Sequence, residues 1–278
     1  MKTITPTIST LRMLSSIRGE FWMIRADKVE HFALSALEIP SAKEAFDLAD
    51  FYPMRSGASM DKHGIGHVEI KGALLNKAPG IYEKLGLVTT YQTIQNEASA
   101  LVAAGSHAIL FHVDSPGGTV AGCAECAEAI AALTVPTGAH ADGLACSAAY
   151  KLASSCDSIV ATPSSEVGNI GTILSWQDCS AFWREQGIEF KALVNEGADL
   201  KSTFHLEPDE TQIAFLQESI NAAGAEFRQW VEEHRPGISS EVFRAGWYHG
   251  KKAMEMGLAD AIGTADDMIA NFLENSPV

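Results

Sequence analysis

A serine, a glycine pair and a lysine stand in an order that suits acyl transfer. Ser147 lies in the run Ala141-Asp142-Gly143-Leu144-Ala145-Cys146-Ser147-Ala148-Ala149-Tyr150. Gly117 and Gly118 close the upstream run Asp114-Ser115-Pro116-Gly117-Gly118. Lys201 follows downstream in Asp199-Leu200-Lys201-Ser202. A serine hydroxyl at a helix start feels the positive end of the helix dipole, which favours its alkoxide-like state. Two glycines allow the backbone to approach a ligand closely, and amides at a helix start can point at a developing oxyanion. A desolvated lysine can act as general base. Each part has a plainer alternative. Ser147 would serve as a helix cap, the glycines as a turn, and Lys201 as a solvated loop residue. The chain contains no Gly-x-Ser-x-Gly run, so an α/β-hydrolase triad is not expected.

The elements around these residues alternate. Residues 67–75 read as a strand, and 108–113 as a buried strand of continuous apolar character. Between them, Tyr91, Ile94, Ala98, Leu101 and Val102 recur at helical spacing over residues 89–104. An Ala-rich helix is expected at 118–133, a short strand at 137–141, a turn at Asp142-Gly143 and a helix at 147–154. A strand at 158–162, a loop at 163–169, a helix at 177–186 and a strand at 188–194 complete the rhythm. Residues 208–234 form the best-marked helix, with an acidic first turn and Ile213, Leu216, Ile220, Ala223, Phe227 and Trp230 on one stripe. It is expected to pack on the core or on a second subunit and is given no catalytic role. Alternation of this kind implies an α/β fold with a largely parallel sheet and flanking helices.

Residues 41–52 read as a short amphipathic helix, and the polar, Gly-rich stretch 55–66 as a boundary. The expected division is an N-terminal segment of uncertain structure, 1–60, and a catalytic domain, 61–278.

The chain has 278 residues, 46% of them hydrophobic, and a net charge of −15. It can bury a sizeable core. So acidic a balance argues against a general nucleic-acid-binding surface, which needs clustered Lys and Arg. It also disfavours an anionic membrane surface. Five cysteines do not suit a disulfide scaffold in a chain of this length. Residues 1–20 lack a signal-peptide pattern, and no apolar run is long enough to span a membrane. The expectation is a cytoplasmic protein without a transmembrane anchor.

Other reactive residues have structural readings. Cys123 and Cys126 form a C-x-x-C on the Ala-rich helix, without the second pair that zinc would need. They read as small core residues. Cys146, beside Ser147, is an alternative nucleophile or a packing residue. His140 and His112 are rival bases for a Ser/His site, with Asp114 and Asp142 nearby in sequence. His63 and His67 precede a strand and suggest no metal site.

The motifs together resemble the signal peptide peptidase A family. Ser115-Pro116-Gly117-Gly118, Ser147-Ala148-Ala149-Tyr150, Asp157-Ser158-Ile159-Val160-Ala161-Thr162-Pro163, Val167-Gly168-Asn169-Ile170-Gly171 and Leu200-Lys201-Ser202 occur in that family's order and at similar spacing. The stretch from Tyr248-His249-Gly250 to Leu258-Ala259-Asp260 resembles its usual ending. The Ser-Ala-Ala-Tyr form looks most like the soluble, phage- and prophage-borne branch that includes head-maturation proteases. The resemblance implies a Clp-protease/crotonase-like fold. It implies Ser147 as nucleophile, Lys201 as general base, and an oxyanion hole from the Gly118 amide, beside Gly117, with the Ala148 amide. Asn169 stands where the family usually has a serine that helps hold the lysine. Its side-chain carbonyl either takes over that task or leaves Lys201 less well oriented.

The implied activity is a serine endopeptidase that needs neither cofactor nor metal. A protein or peptide is its substrate, phage head proteins are possible partners, and a homo-oligomer is expected. Its place is the cytoplasm or an assembling virion. Two alternatives stand beside this reading: a crotonase-like acyl-CoA enzyme, and an assembly or scaffolding protein with a weak site.

Overall fold

The computed structural model describes residues 22–24, 56–84, 86–175, 180–189, 191–201 and 208–275. The expected helix at 41–52 lies outside them, as do parts of the expected helix at 177–186.

Strands and helices alternate along the described chain. In order they are β1 (Trp22–Ile24), β2 (Ser59–Met60), β3 (Ile65–Lys71), β4 (Ala73–Leu75), α1 (Gly80–Lys84), β5 (Val88–Thr90), α2 (Tyr91–Ala103), β6 (Ala108–Ser115) and β7 (Gly117–Thr119). Then come α3 (Cys123–Ala131), β8 (Thr137–Cys146), α4 (Ala148–Ser154), β9 (Ser158–Ala161), β10 (Glu166–Gly168), α5 (Ser180–Glu185) and α6 (Glu210–His234). A 3₁₀ turn at Ser240–Arg244 leads to β11 (Trp247–His249), α7 (Gly250–Glu255), β12 (Ala261–Ile262) and α8 (Ala265–Asn275).

The larger sheet runs β11-β10-β8-β6-β3-β2, with β9 attached to β8 and β12 to β9. Its centre, β3, β6, β8 and β9, is parallel. Parallel strands buried on both faces read as continuous apolar runs, and Ile109, Leu110, Phe111 and Val113 of β6 are buried. The main core also takes Tyr91, Ile94 and Ala98 from α2, and Cys123, Cys126 and Ala127 from α3. A smaller cluster packs Met268 of α8 against Ile65, Ala108 and Leu110. The fold class is α/β, as the alternation implies.

Four expectations need correction. Residues 67–75 are two strands, because Gly72 (φ +66°) breaks them. There is no room for a side chain there, since a Cβ on Gly72 would collide with the Leu87 carbonyl. Residues 137–141 extend to Cys146 with no turn at Asp142-Gly143. There β8 changes partner instead: Gly138–Ala141 pairs with β9 and Leu144–Cys146 with β10. The expected helix from 118 begins only at Cys123, because Gly117–Thr119 is a strand. The described part of 188–194 is irregular and exposed, not a strand. It finds no sheet edge, and Leu193 is wholly exposed.

A second sheet has the order β1-β7-β4-β5. Helix α6 packs on the core through Phe227 and Val231, while its first half leaves Ile213 and Phe215 exposed. No described helix is long and apolar enough to cross a membrane.

Candidate active site

Ser147 sits at the junction where β8 ends and α4 begins, fully buried. Its backbone has φ 57° and ψ −120°, a region that residues bearing a Cβ avoid. Such strain costs on the order of 1–3 kcal/mol and persists only where the surroundings over-determine it. Those surroundings are on both sides. The Ser147 amide donates to the Gly168 carbonyl at 2.8 Å, and the Ser147 carbonyl accepts from the Lys151 amide at 3.0 Å. The serine occupies the cap position of α4, yet its side chain caps nothing. Its Oγ donates instead to the Gly171 carbonyl at 3.4 Å. The geometry is that of a strained strand-to-helix elbow, reached without the flanking glycines of the Gly-x-Ser-x-Gly pattern.

Gly117 and Gly118 stand beside this elbow. Gly117 has φ 109°, and a side chain on it would strike the Met23 carbonyl and crowd the Cys146 carbonyl at 3.0 Å. A side chain on Gly118 would strike the Leu74 carbonyl. Both positions therefore require glycine for close backbone approach. The Gly117 amide donates to Ser115 Oγ at 3.2 Å. The Ser147 amide is thus given to Gly168 and the Gly117 amide to Ser115, while Gly118 and Ala148 are the amides that the resemblance implies as oxyanion donors.

The supporting loop is tied from the C-terminal side. Asn169 has φ 56°, donates its amide to the Gly246 carbonyl at 2.7 Å, and its Nδ2 donates to the Ala245 carbonyl at 2.8 Å. β10 pairs with β8 on one side and with β11 on the other. The loop expected at 163–169 is thus partly a strand, and it holds Gly168 against Ser147.

Lys201 stands apart. It is exposed on the irregular stretch 191–201, its amide folded back on the Ala198 carbonyl at 3.0 Å. Among the described residues no hydrogen bond joins it to Ser147. The structure brings Ser147, Gly117, Gly118, Ala148 and the Gly168-Asn169 pair together, while Lys201 makes no hydrogen bond to them among the described residues.

The rival bases are remote. His140 lies seven residues before Ser147 along β8 and its end, and an extended chain advances about 3.3 Å per residue. That places the two about 20 Å apart. His112 pairs with His140 across the sheet and shares that distance. Its Nε2 lies 2.9 Å from His67 Nδ1. Burial first, then His67 and His140, push the His112 imidazole below its ordinary value. Cys123 and Cys126 are buried core residues. Burial raises the Cys123 thiol to about 12 and Cys126 further, so neither is a ready thiolate.

One feature had no clear sequence signal. Lys151, one turn into α4, is wholly buried and its Nζ binds both carboxylate oxygens of Glu226 on α6, at 2.5 and 2.7 Å. The ammonium also lies over the rings of Phe227 and Trp230. This pair locks the helix behind Ser147 to α6. A lysine inside an Ala-rich helix reads as solvated, and only the approach of α6 makes it otherwise.

The family model described as "Peptidase family S49" matches residues 131–278, which include the elbow, its supporting loop and Lys201. The chain belongs to peptidase family S49. It is 28% identical over 215 residues to the head-tail preconnector protein GP5 of Enterobacteria phage P21, covering 75% of this chain and 42% of that one. It is 30% identical over 229 residues to the capsid assembly protease C of Escherichia phage lambda, covering 78% and 50%. A putative protease of Methanocaldococcus jannaschii is 29% identical over 167 residues, covering 58% and 53%. The chain thus spans about half the length of these relatives. Membership in S49 is consistent with the Clp-protease-like fold expected from the resemblance, and the sheet and flanking helices agree with it.

Proposed function

We propose that this S49 protein is a serine endopeptidase with Ser147 as nucleophile and Lys201 as general base. The strained backbone of Ser147 is the observation that carries the reading. A capping serine would relax and bond its own helix, whereas this one stays strained with its Oγ toward the Gly171 carbonyl. Ser147 Oγ attacks the scissile carbonyl carbon, and its proton passes to Lys201 Nζ. The oxyanion accepts hydrogen bonds from the Gly118 and Ala148 amides. The C–N bond breaks, and Lys201 returns the proton to the leaving amine. Water, deprotonated by the same lysine, then attacks the acyl-enzyme and releases the acid.

Lys201 must close on the site for this to occur. Its place in the motif order and the remoteness of His112 and His140 support it as the base. The Asn169 side-chain oxygen is the group available to receive its ammonium, because Nδ2 is given to Ala245. The substrate class is a protein or peptide. The names of the phage relatives support head or capsid proteins as partners, in an assembling virion or the cytoplasm that holds it. The exposed Ile213 and Phe215 on α6 support a homo-oligomer.

The test is intact-mass analysis after fluorophosphonate treatment, with cleavage of an unfolded protein followed in parallel. One adduct at Ser147, absent from Ser147→Ala and strongly slowed in Lys201→Ala, is expected. Wild-type cleavage by both variants would exclude the dyad.

The exposure of Lys201 favours a second reading, an assembly protein with a weak site. Labelling of Lys201→Ala at the wild-type rate, with no cleavage by either protein, would select it. A crotonase-like acyl-CoA enzyme would leave the strain at Ser147 without a purpose.

A further inference from the structure

β7 has two edges. β4 takes one, with Leu74 opposite Gly118. The other is the edge on which a substrate would lie if Gly118 and Ser147 act as proposed above, and it is occupied. β1 pairs with it antiparallel, Trp22 opposite Thr119, Met23 opposite Gly118 and Ile24 opposite Gly117. A side chain on Gly117 would strike the Met23 carbonyl and crowd the carbonyl of Cys146, the residue before the nucleophile. Met23 is 1% and Ile24 3% exposed, and Met23 belongs to the main core cluster.

Adding a strand to an open sheet edge is a general mode of peptide recognition. Main-chain bonds supply affinity and alternate side chains enter pockets. β1 matches this mode in its antiparallel pairing and its buried apolar side chains, but belongs to the same chain. It is also only three residues long, so few ladder bonds hold it.

We propose that residues 22–24 are an internal peptide held in the substrate cleft, and that they must leave β7 before another polypeptide can bind. The inference rests on the reading of Ser147 and Gly118 as the catalytic elbow and oxyanion strand. It adds two statements to that reading. The cleft takes an extended segment with apolar side chains at the positions of Met23 and Ile24. The chain also competes with its own substrates for that edge.

The test uses the full chain and its Met23→Pro variant. Proline removes the amide proton that a ladder needs. Two reagents are compared: a small fluorophosphonate, and a tripeptidyl phosphonate with apolar side chains that must pair with β7 to react. The variant is expected to react with the peptidyl reagent at least tenfold faster than wild type. An equal or slower rate, while the small reagent labels Ser147 in both proteins, overturns the proposal. Labelling of Ser147 by neither reagent would instead sink the catalytic reading, and this inference with it. A wild-type measurement covers a variant that fails to fold. Under saturating peptidyl phosphonate, hydrogen exchange at residues 22–24 should rise while Gly118 and Thr119 stay protected. Protection unchanged in 22–24 after full labelling overturns the proposal equally.

Discussion

The Ser147 amide is bound to the Gly168 carbonyl at 2.8 Å, so the N–H of the proposed nucleophile is not offered to substrate. One hydrogen bond has two consequences. It holds Ser147 in its unfavourable backbone conformation, and it withdraws the Ser147 amide from any oxyanion role, which leaves Ala148 as the candidate on the helix side. The bond exists because β10 lies parallel to the end of β8, with Gly168 opposite Cys146. β11, from the C-terminal part of the chain, holds β10 there.

Strain at Ser147 makes a stability prediction. Ser147→Gly should raise the unfolding free energy above that of Ser147→Ala by about 1 kcal/mol. Relief of about 1–3 kcal/mol of backbone strain is partly offset by the extra chain entropy of glycine, about 0.5–1 kcal/mol. Urea denaturation of both variants measures it. Neither should cleave peptide.

Gly118→Ala keeps its amide but must shift the backbone that carries it, because the new Cβ meets the Leu74 carbonyl. Activity should fall by about 100-fold, as when an oxyanion donor is taken out of place. It should also destabilise by about 2 kcal/mol or more, because the methyl meets the Leu74 carbonyl and backbone must move. Gly224→Ala is the control. It lies within α6 with open space around it, so the substitution should stabilise by about 0.5–1 kcal/mol.

Lys201→Ala should lower kcat by about 10²–10⁴-fold, the range of a general base. As Lys201 is exposed, stability should stay within about 0.5 kcal/mol of wild type. Steady-state kinetics and thermal melts on one preparation separate the two effects.

The Lys151–Glu226 pair should behave asymmetrically. Glu226→Gln leaves a buried ammonium without its carboxylate and should destabilise by about 1–3 kcal/mol, moderated because Glu226 is half exposed. Lys151→Met removes the buried charge and should be close to neutral. A larger loss for Lys151→Met than for Glu226→Gln would show that the argument is wrong.

His112 supplies a pH dependence. Its folded value lies below the ordinary 6.5, chiefly through burial and then the neighbouring His67 and His140, against the opposing Asp142 and Glu69. The unfolded chain therefore binds more protons just below that pH. The stability held above about pH 6.5 is lost as pH falls through the folded value. Thermal melts between pH 7.5 and 5 should show a decline that His112→Gln flattens.

Local patterns determined much of this protein without a partner element. The stripe Tyr91, Ile94, Ala98 and Leu101 specified α2, and Asp209 with Gln212 forms a capping box that specifies the start of α6. The apolar run of β6 specified a buried strand, and the ordered motifs pointed to the family and to Ser147 as the candidate nucleophile. Tertiary structure decided the rest. Residues 188–194 read as a strand, but their described part pairs with no sheet edge. Gly117–Thr119 carried the signal of a turn, yet lies between β4 and β1 because glycine alone allows the Leu74 and Met23 carbonyls so near. Trp22–Ile24 had no signal, since a strand of three residues is defined only by the edge it joins. Short-range periodicity is written in the chain because one element's burial sets it. The strain at Ser147, the bond from its amide to Gly168 and the pairing of Trp22–Ile24 with β7 come from backbone groups far apart in sequence, which no local pattern records.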